Sequence, residues 1–124
     1  MILVDTCGWI EWLTDGNLAD QYEPCFEDVT QSIVPTSVQF ELYKWVARKE
    51  GEQRALEAVA LTEQALVVPL STSIALLAAD LSMAHQLSFA DAIIYATARF
   101  HQAELITSDS HFKGLQGVTF FKKA

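Results

Sequence analysis

Basic side chains are scarce. The chain carries 8 Lys and Arg against 16 Asp and Glu over 124 residues, a net charge of −8. That excludes broad electrostatic wrapping of a nucleic acid. It leaves room for a nuclease, because bound cations cancel negative charge where a phosphate must enter, and it favours a strongly basic protein partner. Cysteine is nearly absent: Cys7 and Cys25 have no metal-binding spacing, and two buried free thiols fit a cytosolic chain better than one disulfide. No apolar run exceeds the six residues from Ile74 to Ala79, too few to span a bilayer. No basic leader precedes Met1-Ile2-Leu3-Val4, which is not the pattern of a cleaved signal peptide. Repeats, low-complexity tracts and linkers are also missing. These absences lead to an expectation of one cytoplasmic domain over residues 1–124, with no membrane association.

What is present is apolar: 51% of the residues are hydrophobic, enough for a compact core. Met1 to Val4 reads as a buried central strand. A helix from Thr6 to Leu13 follows and is broken at Asp15-Gly16-Asn17, and a more polar helix spans about Leu18 to Asp28. Ser32 to Val34 is a short strand. Thr36-Ser37-Val38-Gln39 has capping-box spacing and opens a helix to about Glu50. A helix from Glu52 to Leu66 packs back as a hairpin, and Val67 to Leu70 is a strand whose Pro69 marks a sheet edge. Helices over Ser71–Gln86 and Ser88–Gln102, a strand over Glu104–Thr107, a turn over His111–Leu115 and a last strand over Val118–Phe121 complete the chain. Short apolar strands alternating with helices imply parallel βαβ units.

Four acids fall where a strand hands over to a helix: Asp5, Glu41, Asp91 and Asp109. In an open α/β sheet the carboxyl ends of the strands share one edge, and ligands bind there. Carboxylates gathered at that edge repel one another and take up protons unless compensated. A hard divalent cation with oxygen ligands, Mg²⁺ or Mn²⁺, is the natural compensation. Each acid has a plainer reading beside this one. Asp5 is equally readable as a helix N-cap. Asp91 sits at capping-box spacing from Ser88, but shares a helical stripe with Ile94, Tyr95 and Ala98 and so points inward. Glu41 lies on the face of Val38, Leu42 and Trp45, where it needs a cation or a partner such as Arg99. Asp109, in Thr-Ser-Asp-Ser, fits an ordinary Asx turn. Thr6 and Thr107 adjoin two of the acids and are candidate hydroxyl partners for them. His111 is the histidine nearest the proposed site, within reach of a phosphate there, and reads first as a surface residue.

At these residues the chain resembles the PIN domain, specifically the VapC-type toxin. The opening Met1-Ile2-Leu3-Val4-Asp5-Thr6 with Trp9-Ile10, Glu41 in the helix after the second strand, Phe89-Ala90-Asp91-Ala92-Ile93-Ile94-Tyr95-Ala96, and Thr107-Ser108-Asp109-Ser110-His111-Phe112 follow the family's four motifs in order. Cys7-Gly8 departs from it, since many relatives carry Ser and then a larger residue. The resemblance implies a three-layer α/β/α fold with a central, mostly parallel sheet of four to five strands. It also implies an endoribonuclease that uses one or two Mg²⁺ or Mn²⁺ ions at Asp5, Glu41, Asp91 and Asp109 and cleaves RNA with a metal-activated water. Such a protein is the toxin of a type II pair, usually a homodimer, held by a small basic VapB-type antitoxin through which alone it meets operator DNA.

Other readings remain open. A haloacid-dehalogenase phosphatase also begins with a strand and Asp, but needs a second Asp where Cys7 stands; a receiver domain expects a Lys that no position between Thr107 and Lys113 supplies. A PIN-like RNA-processing nuclease outside a toxin–antitoxin pair keeps the chemistry, whereas a non-catalytic acidic module does not. For the antitoxin, surplus aromatics mark a surface: Trp9, Trp12, Phe40 and Tyr43 are the expected anchors.

Overall fold

The computed structural model describes residues 1–123. Five short strands and six helices alternate: β1 (Ile2–Val4), α1 (Thr6–Leu13), α2 (Ala19–Tyr22), β2 (Ile33–Pro35), α3 (Thr36–Glu50), α4 (Glu52–Thr62), β3 (Leu66–Val68), α5 (Thr72–His85), α6 (Phe89–Phe100), β4 (Glu104–Thr107) and β5 (Val118–Phe120). All pairings are parallel. β1 pairs with β4 and β4 with β5, and β2 pairs with β3. The helices α3 and α4 form a hairpin, α5 packs on α6, and together they enclose the strands in a three-layer α/β/α fold.

One expectation is corrected in detail. The five strands form two ladders, β1-β4-β5 and β2-β3, instead of one continuous sheet. A single parallel bridge, Ile2 to Ser32, joins them. β2 has only three residues and ends in Pro35, which has no N–H to offer a neighbour. With the bridge included the order is β3-β2-β1-β4-β5, so the direction of progression reverses between β1 and β4. In such folds the crevice at the carboxyl ends of those two strands is the binding edge. Leu3, Leu105 and Thr107 are fully buried, as strands covered on both faces must be. The strand expected over Val67–Leu70 runs instead over Leu66–Val68; it lies at an edge, with Pro69 just beyond its end.

Two helix boundaries and one cap differ from the sequence expectation. The helix expected over Leu18–Asp28 is cut after Tyr22 by two short 3₁₀ turns, because Pro24 cannot continue an α-helical ladder. The helix expected to Leu66 ends at Thr62, and Leu66 already belongs to β3. The Thr36–Gln39 capping box does not form. Pro35 occupies the cap, and Gln39 Nε2 donates instead to Thr62 Oγ1 at 3.0 Å, fastening α3 to α4. At Asp15, with φ of 53°, the chain leaves α1 as the Asp-Gly-Asn sequence predicts.

Candidate active site

Asp5 closes β1 and caps α1 at once. Its Oδ1 accepts the Thr6 N–H at 2.8 Å, and its Oδ2 accepts the Thr107 hydroxyl at 2.8 Å. The capping and site readings therefore coexist, one oxygen for each. Asp5 is 5% exposed. Burial raises its carboxyl to about pH 6, the hydrogen bonds from Thr107 and Thr6 pull it down, and the charges of Glu41 and Asp109 push it up.

Thr6 reaches the other way: its hydroxyl donates to Glu41 Oε1 at 2.7 Å. Glu41 is half-buried on α3. The alternative in which Arg99 neutralises it does not occur, since Arg99 lies against Gly117 near β5. On the far side, Asp91 and Asp109 share His111. The His111 Nδ1 lies 3.0 Å from Asp91 Oδ2 and 3.2 Å from Asp109 Oδ1, and one ligand atom from each of the three residues falls within 4.8 Å of the others. The Ser88 hydroxyl accepts the Asp91 N–H at 3.2 Å, so only the forward half of that capping box forms and the Asp91 carboxylate stays with His111.

Thr107 joins the two halves. It donates to Asp5 and accepts the Asp109 N–H at 2.9 Å. The four acids thus form two pairs, Asp5–Glu41 through Thr6 and Asp91–Asp109 through His111, coupled at the β1–β4 switch point. Among the described residues no lysine or arginine lies within 4.0 Å of a carboxylate; the ion pairs are those of His111. The donor set of carboxylate oxygens plus one imidazole suits a divalent cation.

Two features escaped the sequence reading. His111, read as a surface residue, is indeed 70% exposed along its side chain, yet it bridges two acids. The signal was its place two residues after Asp109, whose Oδ1 accepts the His111 N–H at 2.9 Å. Beneath Asp5 lies a buried polar layer: the Tyr22 hydroxyl donates to Ser108 Oγ at 3.1 Å, and Ser108 to Cys7 Sγ at 3.4 Å. Burial raises the Cys7 thiol, and Asp5 adds to the effect. Both cysteines are free.

The aromatic expectation needs correction at Trp9. Trp9 is 1% exposed, set edge-on against Trp12 and Phe26, so it is core and offers no surface to a partner. Trp12 is half-buried, stacked on Phe26 at 4.2 Å with its Nε1 donating to Glu23. Phe40 is 66% exposed and lines a groove with Tyr43, Ala47 and Val59 between α3 and α4.

A family model described as the PIN domain matches residues 2–118. No curated protein matches the chain. Among solved structures, a toxin–antitoxin complex from Klebsiella pneumoniae is 27% identical with a TM-score of 0.81, covering 96% of each chain. VapBC2 from Rickettsia felis, solved with a promoter DNA fragment, is 15% identical with a TM-score of 0.77, covering 98% of each chain. VapC20 of Mycobacterium tuberculosis, described as a toxin that cleaves the sarcin–ricin loop, is 19% identical with a TM-score of 0.71, covering 98% of this chain and 90% of that one. The fold is that of the VapC-type toxins, and the chain belongs to the PIN domain family.

Proposed function

We propose that this chain is a Mg²⁺- or Mn²⁺-dependent endoribonuclease, the toxin of a type II toxin–antitoxin pair. The observation that supports this reading is the hydrogen-bonded chain in which Thr107 ties Asp5 to Asp109, Thr6 ties on Glu41 and His111 ties on Asp91, with no lysine or arginine among the described residues within 4.0 Å of these carboxylates. These four residues would hold the ion, with His111 beside the Asp91–Asp109 pair. When bound, a divalent cation supplies Lewis acidity at a phosphodiester oxygen and lowers the pKa of a nearby water. The protein's own part is positional. Thr107 fixes Asp5 relative to Asp109, Thr6 orients Glu41, and the burial of Asp5 leaves its charge weakly screened. In-line cleavage demands that fixed geometry more than it demands any single base.

The family likeness supports an antitoxin partner, and the groove of Phe40 and Tyr43 is the proposed seat for its apolar segment. Its basic residues would be drawn to the acidic edge and stand in there for the ion. A homodimer would bury Leu76, Met83 and Phe89, which are 65%, 74% and 80% exposed. No helix of the described residues is long and apolar enough to cross a membrane.

The test is cleavage of RNA with Mg²⁺ or Mn²⁺, its loss in EDTA, and its loss in Asp5→Asn and Asp91→Asn with the fold retained by circular dichroism. Undiminished metal-dependent cleavage by both variants would overturn the assignment. Phe40→Ala with Tyr43→Ala should weaken antitoxin binding at least tenfold by calorimetry, as expected of anchor residues.

A further inference from the structure

The eight cations of the chain are unevenly placed. Leu42 to Lys49 contains Lys44, Arg48 and Lys49 and no acid, in a protein of net charge −8. Phe40, Lys44 and Arg48 follow one another at four-residue steps and form a ridge along α3. On one side lies the apolar groove against α4. On the other, between α3 and α1, runs a second groove that begins at Thr6 and Glu41 and ends at Lys49.

The second groove differs in chemistry from the first. Trp45 lines it, and the Lys49 ammonium lies 5.9 Å from the centre of the Trp45 ring. The Lys44 ammonium stands at the same 5.9 Å from the Phe40 ring. All three cations are exposed, and among the described residues none is within 4.0 Å of a carboxylate. Arg48 and Lys49 occupy the last turn of α3, where positive charge suits the helix dipole. Lys44 lies a turn earlier, and the dipole does not account for it. Unpaired cations alternating with aromatic faces are what a single-stranded nucleic acid uses: phosphates meet the charges and bases stack on the rings.

We propose that the α1–α3 groove holds single-stranded RNA on its way into the acidic edge, with Lys44, Arg48 and Lys49 on phosphates and Trp45 and Phe40 as stacking faces. The assignment rests on the nuclease reading, and it resolves how a chain of this charge admits RNA. From Glu41 to Lys49 the helix rises about 12 Å, so the groove would hold a few nucleotides on one side of the scissile bond. Cleavage preference would then follow the strength of base stacking at Trp45.

The test is fluorescence anisotropy of a labelled single-stranded polyuridylate and of a mixed-sequence RNA, with Ca²⁺ in place of Mg²⁺. The unsubstituted chain, the triple variant Lys44→Gln/Arg48→Gln/Lys49→Gln, and a control pair, Lys122→Gln/Lys123→Gln, are compared. We expect the triple variant to bind at least tenfold more weakly, and its slope of log affinity against log salt to fall by about two, at roughly 0.7 per phosphate contact. The control should change less than twofold. Trp45→Ala should weaken binding about tenfold and Trp45→Phe should recover most of it, since stacking needs only a ring. Equal losses in the triple variant and the control, no wild-type binding, or loss of antitoxin binding in the triple variant with RNA binding intact would each overturn the proposal. Cleavage assays separate this from the parent reading: binding as expected without metal-dependent cleavage sinks the nuclease and spares the groove.

Discussion

Thr107 Oγ1 donates a 2.8 Å hydrogen bond to Asp5 Oδ2 across 102 positions of sequence and accepts the Asp109 N–H at 2.9 Å. One buried hydroxyl thereby sets the spacing of two acids that leave different strands. Thr107→Val keeps the shape and removes both bonds. It should cost about 1–3 kcal/mol in denaturant melts, because a buried carboxylate and an N–H lose their partner. RNA cleavage at saturating Mg²⁺ should fall at least tenfold, and Thr107→Ser should restore most of both. A valine variant that cleaves at the wild-type rate would remove Thr107 from the positioning role.

Gly8 accounts for the departure of Cys7-Gly8 from the family pattern. A Cβ there would meet Tyr22 Cε1 and Val4 Cγ1, each at 2.5 Å. Tyr22 is fully buried and anchored to Ser108, so its ring cannot retreat. Gly8→Ala should therefore destabilise by about 1–3 kcal/mol through overpacking, although alanine is the better helix former by about 1 kcal/mol. Urea titration checks the sign. Adding Val4→Ala should recover part of the loss, and an alanine variant more stable than wild type would contradict the packing account.

Much of this site was legible in the sequence because strand ends and helix starts are local signals. Asp5 after Met1–Val4 and Asp109 after Glu104–Thr107 could be placed at one edge as soon as the strands were parallel. Glu41 was legible from its helical face alone, and the Thr6 hydroxyl on it confirms that face as inward. What stayed hidden depended on contacts remote in sequence. No pattern in Trp9-Ile10-Glu11-Trp12 says that Phe26 will cover Trp9 and leave Trp12 at the margin. Pro24 is a local break signal that competes with the polar helical pattern of Leu18–Asp28, and in the fold the break prevails. That His111 spans two acids follows from the spacing of α6 and β4, which no local rule supplies.

The burial of Asp5 makes stability depend on pH in the metal-free protein. Its carboxyl rises from an ordinary 3.8 to about 6, first through desolvation and then through Glu41 and Asp109. A raised folded-state value means the folded chain holds this proton more tightly than the unfolded one. The contribution is complete below about pH 3.8 and is lost as pH rises through about 6. The window from pH 4 to 7 should therefore show a loss on the order of 3 kcal/mol from this group, moderated by other carboxylates. Asp5→Asn should flatten the profile and raise the melting temperature at pH 7 without metal. Mg²⁺ should stabilise the wild type above pH 6 more than the variant. A wild-type profile no steeper than that of Asp5→Asn in EDTA would exclude Asp5 as the source.

His111 offers a test of the ion that the edge prefers. Adjacent ligands of an octahedral ion with bonds near 2.1 Å are separated by about 3 Å. The His111 Nδ1 stands 3.0 Å from Asp91 Oδ2 and 3.2 Å from Asp109 Oδ1, spacing compatible with three corners of one shell. Imidazole suits transition metals, whereas Mg²⁺ favours oxygen. The wild type should accordingly bind Mn²⁺ more tightly than Mg²⁺, as read by the loss of the free-ion signal in electron paramagnetic resonance and by Mg²⁺ competition. His111→Ala should weaken Mn²⁺ binding several-fold and Mg²⁺ binding less, narrowing the ratio. His111→Gln, which offers a carbonyl oxygen in place of nitrogen, should behave like alanine toward Mn²⁺. If both variants keep the wild-type ratio, the ring only screens the two carboxylates and takes no part in choosing the ion.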